Sequence, residues 1–310
     1  KAFYRSITSA AYQVVVIVCG FITSRLLVET YGSTWNGVIA AITKFLSLFV
    51  IVEVGVNGAT RVALYKSFAN NDDRQTSAII NANDRYYRKI SLFLIIYVLV
   101  LACGVPLIIN ANISYWSVFF MVLIIGTSKF AENCWGINSR ILLAASQSNY
   151  LTNIIQTIAT ITNAILLFVI IKSGGDIFAA KFGSSTILVL IPIVLFILSH
   201  RMFRIDKRVA PDNTALKDRW NVLANSLSNI VHENVDVFFI TVFCSAKELS
   251  VYSMYYIVAD GLTKVFQVIT NGLEAGFGNM WARRQYDTLN KNLRQYEYII
   301  YALSVLLFGC

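Results

Sequence analysis

Residues 90 to 110, 150 to 171 and 182 to 199 each run for 18 residues or more without a charged side chain. About 20 apolar residues in a helix cross the hydrocarbon core of a bilayer. Water is absent there, so backbone polar groups must be satisfied within the segment, and helices meet that demand. The chain is therefore read as an all-α polytopic membrane protein. Composition agrees: 56% of residues are hydrophobic and 14% charged, against about 25% charged in soluble domains. The five cysteines, Cys19, Cys103, Cys134, Cys244 and Cys310, lie in or beside apolar runs without paired spacing, which supports neither a disulfide framework nor a metal knuckle. The two histidines have no metal-site spacing and no Gly-rich phosphate loop is present, so ATP hydrolysis is not expected in this chain.

Eight complete spans follow from the apolar pattern, at 4–28, 35–59, 90–110, 114–144, 150–171, 177–199, 219–243 and 249–281, with a ninth opening at 297. The fourth and seventh are half polar and are expected to fail a strict hydropathy window. Residue 1 is not Met and the chain stops at Cys310 inside an apolar run, so the sequence reads as a fragment of a longer protein. The basic start leads into a span too long for a signal peptide. The N-terminal stub and the loops 60–89, 200–219 and 282–296 hold 18 of the 26 Lys and Arg residues, whereas the loops on the other side hold only Lys172 and Lys247. That bias places the N-terminus in the cytoplasm. It also accounts for the net charge of +9 without a nucleic-acid partner, since no aromatic-basic binding motif accompanies it. Residues 65–89 read as a solvated cytoplasmic loop with a short surface helix. The outer loops are all short, which argues against an extracytoplasmic catalytic domain.

Ionisable residues inside these spans carry the functional argument, because a charge at bilayer depth is costly and usually faces a bundle interior or a wet cavity. Ser24 to Arg61, SRLLVETYGSTWNGVIAAITKFLSLFVIVEVGVNGATR, holds Lys44 and Glu53 within a single span. Residues 254–284 repeat its pattern: Thr-Lys at 263–264, Glu274 ten residues on, Gly276 and Gly278, then Arg. Internal duplication is a common construction of secondary transporters. Polar residues also line up at helical spacing. The rows are Ser9, Gln13, Gly20 and Ser24 in the first span and Lys129, Glu132, Asn133, Gly136 and Arg140 in the fourth. The fifth has Asn153, Gln156, Thr157 and Thr160, and the seventh Asn225, Asn229, His232 and Asp236 with Glu233 on its shoulder. A bundle enclosing a wet cavity explains four such faces; hydrogen bonding between helices is the plainer alternative for the uncharged rows.

Three spacings permit ion pairs: Arg25 with Glu29, Lys129 with Glu132, and Asp260 with Lys264. Pairing does not exclude function, and Lys44 and Lys264 are read as cavity-lining. Arg25 sits near the outer end, where it could equally snorkel. Lys44 and Lys264 fall near mid-membrane and Glu53 and Glu274 nearer the cytoplasmic ends, an arrangement that favours a phosphate-bearing head group at mid-depth. His232 with Glu233 and Asp236 could serve as a proton relay. Glu53, His232, Asp236, Asp260 and Glu274 are the candidates for coupling or gating.

The segments SRLLVETYG, WNGVIAAITKFLSLFVIVEVGVNGATR and NVDVFFITVFCSAKELSVYSMYYIVADG resemble the polysaccharide transporter, or O-antigen flippase, family of the multidrug/oligosaccharidyl-lipid/polysaccharide (MOP) exporter superfamily. The resemblance implies a two-lobed helical bundle of about 12 to 14 spans, incomplete here. Residues 1–217 would form a six-helix first lobe with cytoplasmic loops 60–89 and 200–217, and 218–310 would begin the second. It implies a multi-pass protein of the bacterial cytoplasmic membrane that flips undecaprenyl-pyrophosphate-linked oligosaccharides by alternating access. Arg25, Lys44, Lys129 and Lys264 would then contact the lipid pyrophosphate or acidic sugars. No cofactor is implied beyond a coupling ion, H+ or Na+. Polymerase and chain-length proteins of the same pathway are the implied protein partners. Two alternatives stay open: a cation-coupled multidrug exporter of the same superfamily, in which Glu53 and Asp236 would bind the ion or a cationic drug, and a membrane enzyme of surface-glycan assembly.

Overall fold

A computed structural model describes residues 2–70, 72–109, 111–212, 219–282 and 285–308; within these, the side chains of 2–6, 69, 219, 225, 265, 268–269, 271–279, 281–282 and 307–308 are not described. The described chain is helical and contains no strand. Its helices are α1 (Ala2–Tyr31), α2 (Ser33–Ser47), α3 (Val50–Ala69), α4 (Asp73–Ile108), α5 (Tyr115–Ala131), α6 (Ile137–Ala145), α7 (Asn149–Lys172), α8 (Ile177–Met202), α9 (Arg219–Phe243), α10 (Ala246–Ala282) and α11 (Tyr286–Phe308), with a π-helical turn (Glu132–Gly136) joining α5 to α6. Five helical stretches are long and apolar enough to cross a membrane, and α2 with α3 makes a sixth span bent by 45°. The fourth expected span passes this test after all, because the apolar run of α5 outweighs its polar second half. Among the described residues, α9, α10 and α11 do not pass it.

The expected loop at 65–89 is instead helix. Asp72 caps α4 by accepting from the Gln75 amide at 2.8 Å, which supplies the partner a helix start lacks. Asn70 ends α3, and Asp73, Arg74 and Gln75 of the polar run NNDDRQ already belong to α4. Ile79, Ile80, Ala82 and Tyr87 are buried along this extension. It packs beneath the 203–212 strap, where Asn81 Nδ2 donates to the carbonyls of Asp206 and Val209 at 2.9 Å each. At about 1.5 Å per residue the 36 residues of α4 are roughly 54 Å long, well beyond a hydrocarbon core of about 30 Å.

Helices α1 to α8 close into a ring: α1 packs on α2 and α7, α7 on α8, α8 on α5, α5 on α4, and α4 on α3. Ile42, Leu64, Ile79, Leu94, Met121 and Leu142 are fully buried inside it. Leu92, Ile96, Val100, Ile158, Ile165 and Phe182 face outward, the face a lipid-embedded bundle presents. α9 then packs on α3, and α10 on α2 and α1. The α2–α10 crossing is close because Gly37 has no side chain: a Cβ there would stand 1.7 Å from the Ala246 carbonyl oxygen. Beside it, Asn36 Nδ2 donates to Ser250 Oγ at 2.9 Å. In lipid, small residues and interhelical hydrogen bonds of this kind hold helices together.

Candidate functional site

A cavity of about 1130 Å³ opens between α1, α2, α9 and α10, with α3 and α5 contributing one residue each to its wall and α7 and α8 two each. Its chemistry is built around the break between α2 and α3. Neither Pro nor Gly causes that break. Ser47 Oγ donates to the Lys44 carbonyl at 2.7 Å and Tyr97 OH to the Phe45 carbonyl at 2.6 Å. Two acceptors of the last turn of α2 are thereby bound by side chains, and the chain restarts as α3 after Leu48 and Phe49.

Lys44 consequently lies in the last turn of α2, and Glu53 in the first turn of α3. Both positions suit the charge, since helix C-terminal ends favour cations and N-terminal ends favour anions. Lys44 Nζ donates to the Glu233 carbonyl oxygen at 3.2 Å and stands 4.1 Å from the Tyr256 ring centroid. The charges that act on it are Asp260, Glu233, Lys264 and Asp236. None of the carboxylates forms an ion pair with it.

Three more lysines share the wall. Lys264 is paired with Asp260 at 2.6 Å, and the two side chains are 40% and 31% exposed. Lys129 reaches in from α5 and is paired with Glu53 at 2.8 Å. Lys181, from α8, has no hydrogen-bond or ion-pair partner among the described residues. On the acidic side, Asp236 Oδ2 accepts from Tyr252 OH at 2.9 Å, and neither Asp236 nor Glu233 is ion-paired among the described residues. The rest of the wall is rich in amides and hydroxyls, including Gln13, Asn36, Asn163, Asn229 and Ser253. The Asn163 Oδ1 atom is buried with no partner.

Of the residues singled out in the sequence, the structure gathers Lys44, Lys129, Lys264, His232, Asp236 and Asp260 around one cavity. Arg25 is off that wall, 70% exposed and paired with Glu29 at 2.7 Å. Glu53 is also off it, buried behind Lys129, where it accepts from Asn133 Nδ2 at 3.0 Å. The side chains of Glu274, Asn225, Gly276 and Gly278 lie outside the described residues.

Two expectations about polar rows are corrected. Lys129 does not pair with Glu132: Lys129 binds Glu53, and Glu132 binds Arg140 instead at 2.6 Å. The α7 row does not line the cavity. Thr157 and Thr160 donate to their own helix at 2.8 Å, and from α7 Asn163 and Leu167 reach the wall. Sequence reasoning also missed Lys181, Tyr252 and Tyr256. A lone lysine in an otherwise apolar α8 was the available signal for Lys181.

No protein-family model matches the sequence, and no curated protein matches it. Two solved structures do. One is described as the inward-facing conformation of a multidrug resistance MATE family transporter of the MOP superfamily; it superposes with a TM-score of 0.63 over all of this chain and 74% of that one, at 14% identity. The chain shares the helical fold of that structure over its whole length. The second, described only as "protein A", superposes with a TM-score of 0.68 over 98% of this chain and 72% of that one, at 11% identity. Within this helical bundle the lysine cavity sits where α1 and α2 meet α9 and α10.

Proposed function

We propose that this chain belongs to a transporter of the bacterial cytoplasmic membrane that flips undecaprenyl-pyrophosphate-linked oligosaccharide repeat units by alternating access, with the N-terminus in the cytoplasm. Residues 1–217 form the first lobe and 218–310 begin the second. The observation that carries the reading is a pair of lysines without carboxylate partners, Lys44 and Lys181, on the wall of a cavity of about 1130 Å³ that also presents amides, hydroxyls and aliphatic side chains. A pyrophosphate needs ammonium donors in a setting of low dielectric, where charge attraction is much larger than in water. A sugar chain needs hydrogen-bonding groups and an aromatic face, which Tyr252 and Tyr256 supply. Lys129 and Lys264, already paired within the protein, hold the wall and its field. His232, Glu233 and Asp236 are placed on one helix for exchange of a coupling ion, H+ or Na+.

The unpaired Glu233 and Asp236 favour a second reading, a cation-coupled multidrug exporter. The two readings separate in cells lacking this protein. In the first, finished oligosaccharide-lipid accumulates in the cytoplasmic leaflet, and surface polysaccharide returns when the full-length protein is restored. In the second, lipid-linked oligosaccharide is distributed normally and sensitivity to cationic drugs rises instead.

A further inference from the structure

A second pocket lies outside the transport cavity, on the outer surface of the ring between α4, the π-helical turn, α8 and the 203–212 strap. Its volume is about 430 Å³. Two kinds of residue line it, and they are segregated along the membrane normal. Asp84, Arg88 and Lys207 stand at one end, and Leu92, Ile95, Phe130, Trp135 and Phe196 at the other. Arg88 lies two residues before the charge-free run that starts at Ile90, so the pocket straddles the level at which α4 leaves the head-group layer and enters hydrocarbon. Leu92 and Ile95 are 67% and 43% exposed on the lipid side. Trp135 is 39% exposed, at the depth where amphipathic aromatic rings favour the interface.

The π-helical turn builds this pocket. An extra residue in the turn directs Cys134 and Trp135 outward while Asn133 and Gly136 stay buried. Gly136 permits it, because a Cβ there would stand 2.6 Å from Glu132 Oε2. Neither Arg88 nor Lys207 forms an ion pair among the described residues. Asp84 faces them, but its carboxylate accepts from Asn138 Nδ2, and the charges acting on it are Arg88, His200 and Lys207. The polar end thus has two unpaired cations and one acid already bound within the protein.

We propose that this pocket binds an anionic glycerophospholipid of the leaflet at the Lys/Arg-rich end, with the phosphodiester held between Arg88 and Lys207 and an acyl chain laid along Leu92, Ile95 and Trp135. Basic pockets between transmembrane helices at this level suit such head groups. A free phosphate would make no use of the apolar half, and a zwitterionic lipid adds to the same phosphodiester an ammonium that the two cations repel.

The test is native mass spectrometry of the purified full-length protein, titrated separately with phosphatidylglycerol and phosphatidylethanolamine. Phosphatidylglycerol is expected to be retained preferentially. Arg88→Gln and Lys207→Gln should each weaken it about fivefold, and the double variant about 25-fold, with phosphatidylethanolamine weakened much less. Both side chains are exposed, and unfolding temperatures without added lipid check that the variants are folded. Trp135→Ala should weaken both lipids while leaving head-group preference intact. Equal retention of phosphatidylglycerol by the double variant overturns the proposal, as does equal loss of both lipids. Displacement by inorganic phosphate as effective as by phosphatidylglycerol also overturns it, and points to a soluble anion.

Discussion

The segments 33–69 and 246–282 each carry a Thr-Lys pair followed by a Glu, at Lys44 with Glu53 and at Lys264 with Glu274, yet they handle the lysine oppositely. The first is broken into α2 and α3 just after Lys44 and bends by 45°. The second, α10, is one continuous helix of 37 residues. Lys264 has Asp260 one turn before it and is neutralised at 2.6 Å; Lys44 has Ala40 at that position and meets a carbonyl oxygen and a tyrosine ring instead. Two copies of one charge pattern thus supply one compensated and one uncompensated cation to the same cavity. Discontinuous helices with charges at their half-helix ends mark binding sites in transporters, which assigns the working role to the broken copy.

The largest expected effect breaks the support of that copy. Lys129→Met strands Glu53, 4% exposed, as an unpaired charge inside the bundle. Stability of the full-length protein should fall by about 3 kcal/mol or more in thermal unfolding, and Glu53→Gln in the same chain should restore most of it. Lys44→Ala is next. It should lower translocation about 10- to 100-fold, the range for one charge-assisted hydrogen bond, with membrane insertion unchanged. Ala40→Asp makes the first copy resemble the second, placing an acid one turn before Lys44. Translocation should then drop severalfold although Lys44 is still present. The smallest effect belongs to Lys264→Ala, whose partly exposed pair contributes on the order of 1 kcal/mol or less. Translocation should change by only a few-fold, and less still when Asp260→Asn accompanies it.

Much of this contrast is visible in the sequence and its decisive part is not. The spans within α1, α4, α5 with α6, α7 and α8 follow from apolar length. Lys44, Lys264 and the Asp260–Lys264 pair follow from helical spacing, which is a local property. The break at Leu48 and Phe49 has no Pro or Gly to announce it, because Tyr97 on another helix helps to produce it. The Lys129–Glu53 pair joins residues from different helices, and no periodicity within one helix can indicate such a partner. The expected Lys129–Glu132 pair gives way for the same reason, since Glu53 and Arg140 take the two side chains. Polarity in 65–89 suggests a loop, whereas a capping Asp72 and a buried face at Ile79 and Ile80 make 73–89 helical.

The most direct measurement is the affinity of undecaprenyl pyrophosphate for the purified full-length protein and for its Lys44→Ala and Lys264→Ala forms. The account predicts a loss of about 10- to 100-fold for Lys44→Ala and a much smaller change for Lys264→Ala. Equal affinities in the unsubstituted and Lys44→Ala proteins would contradict it.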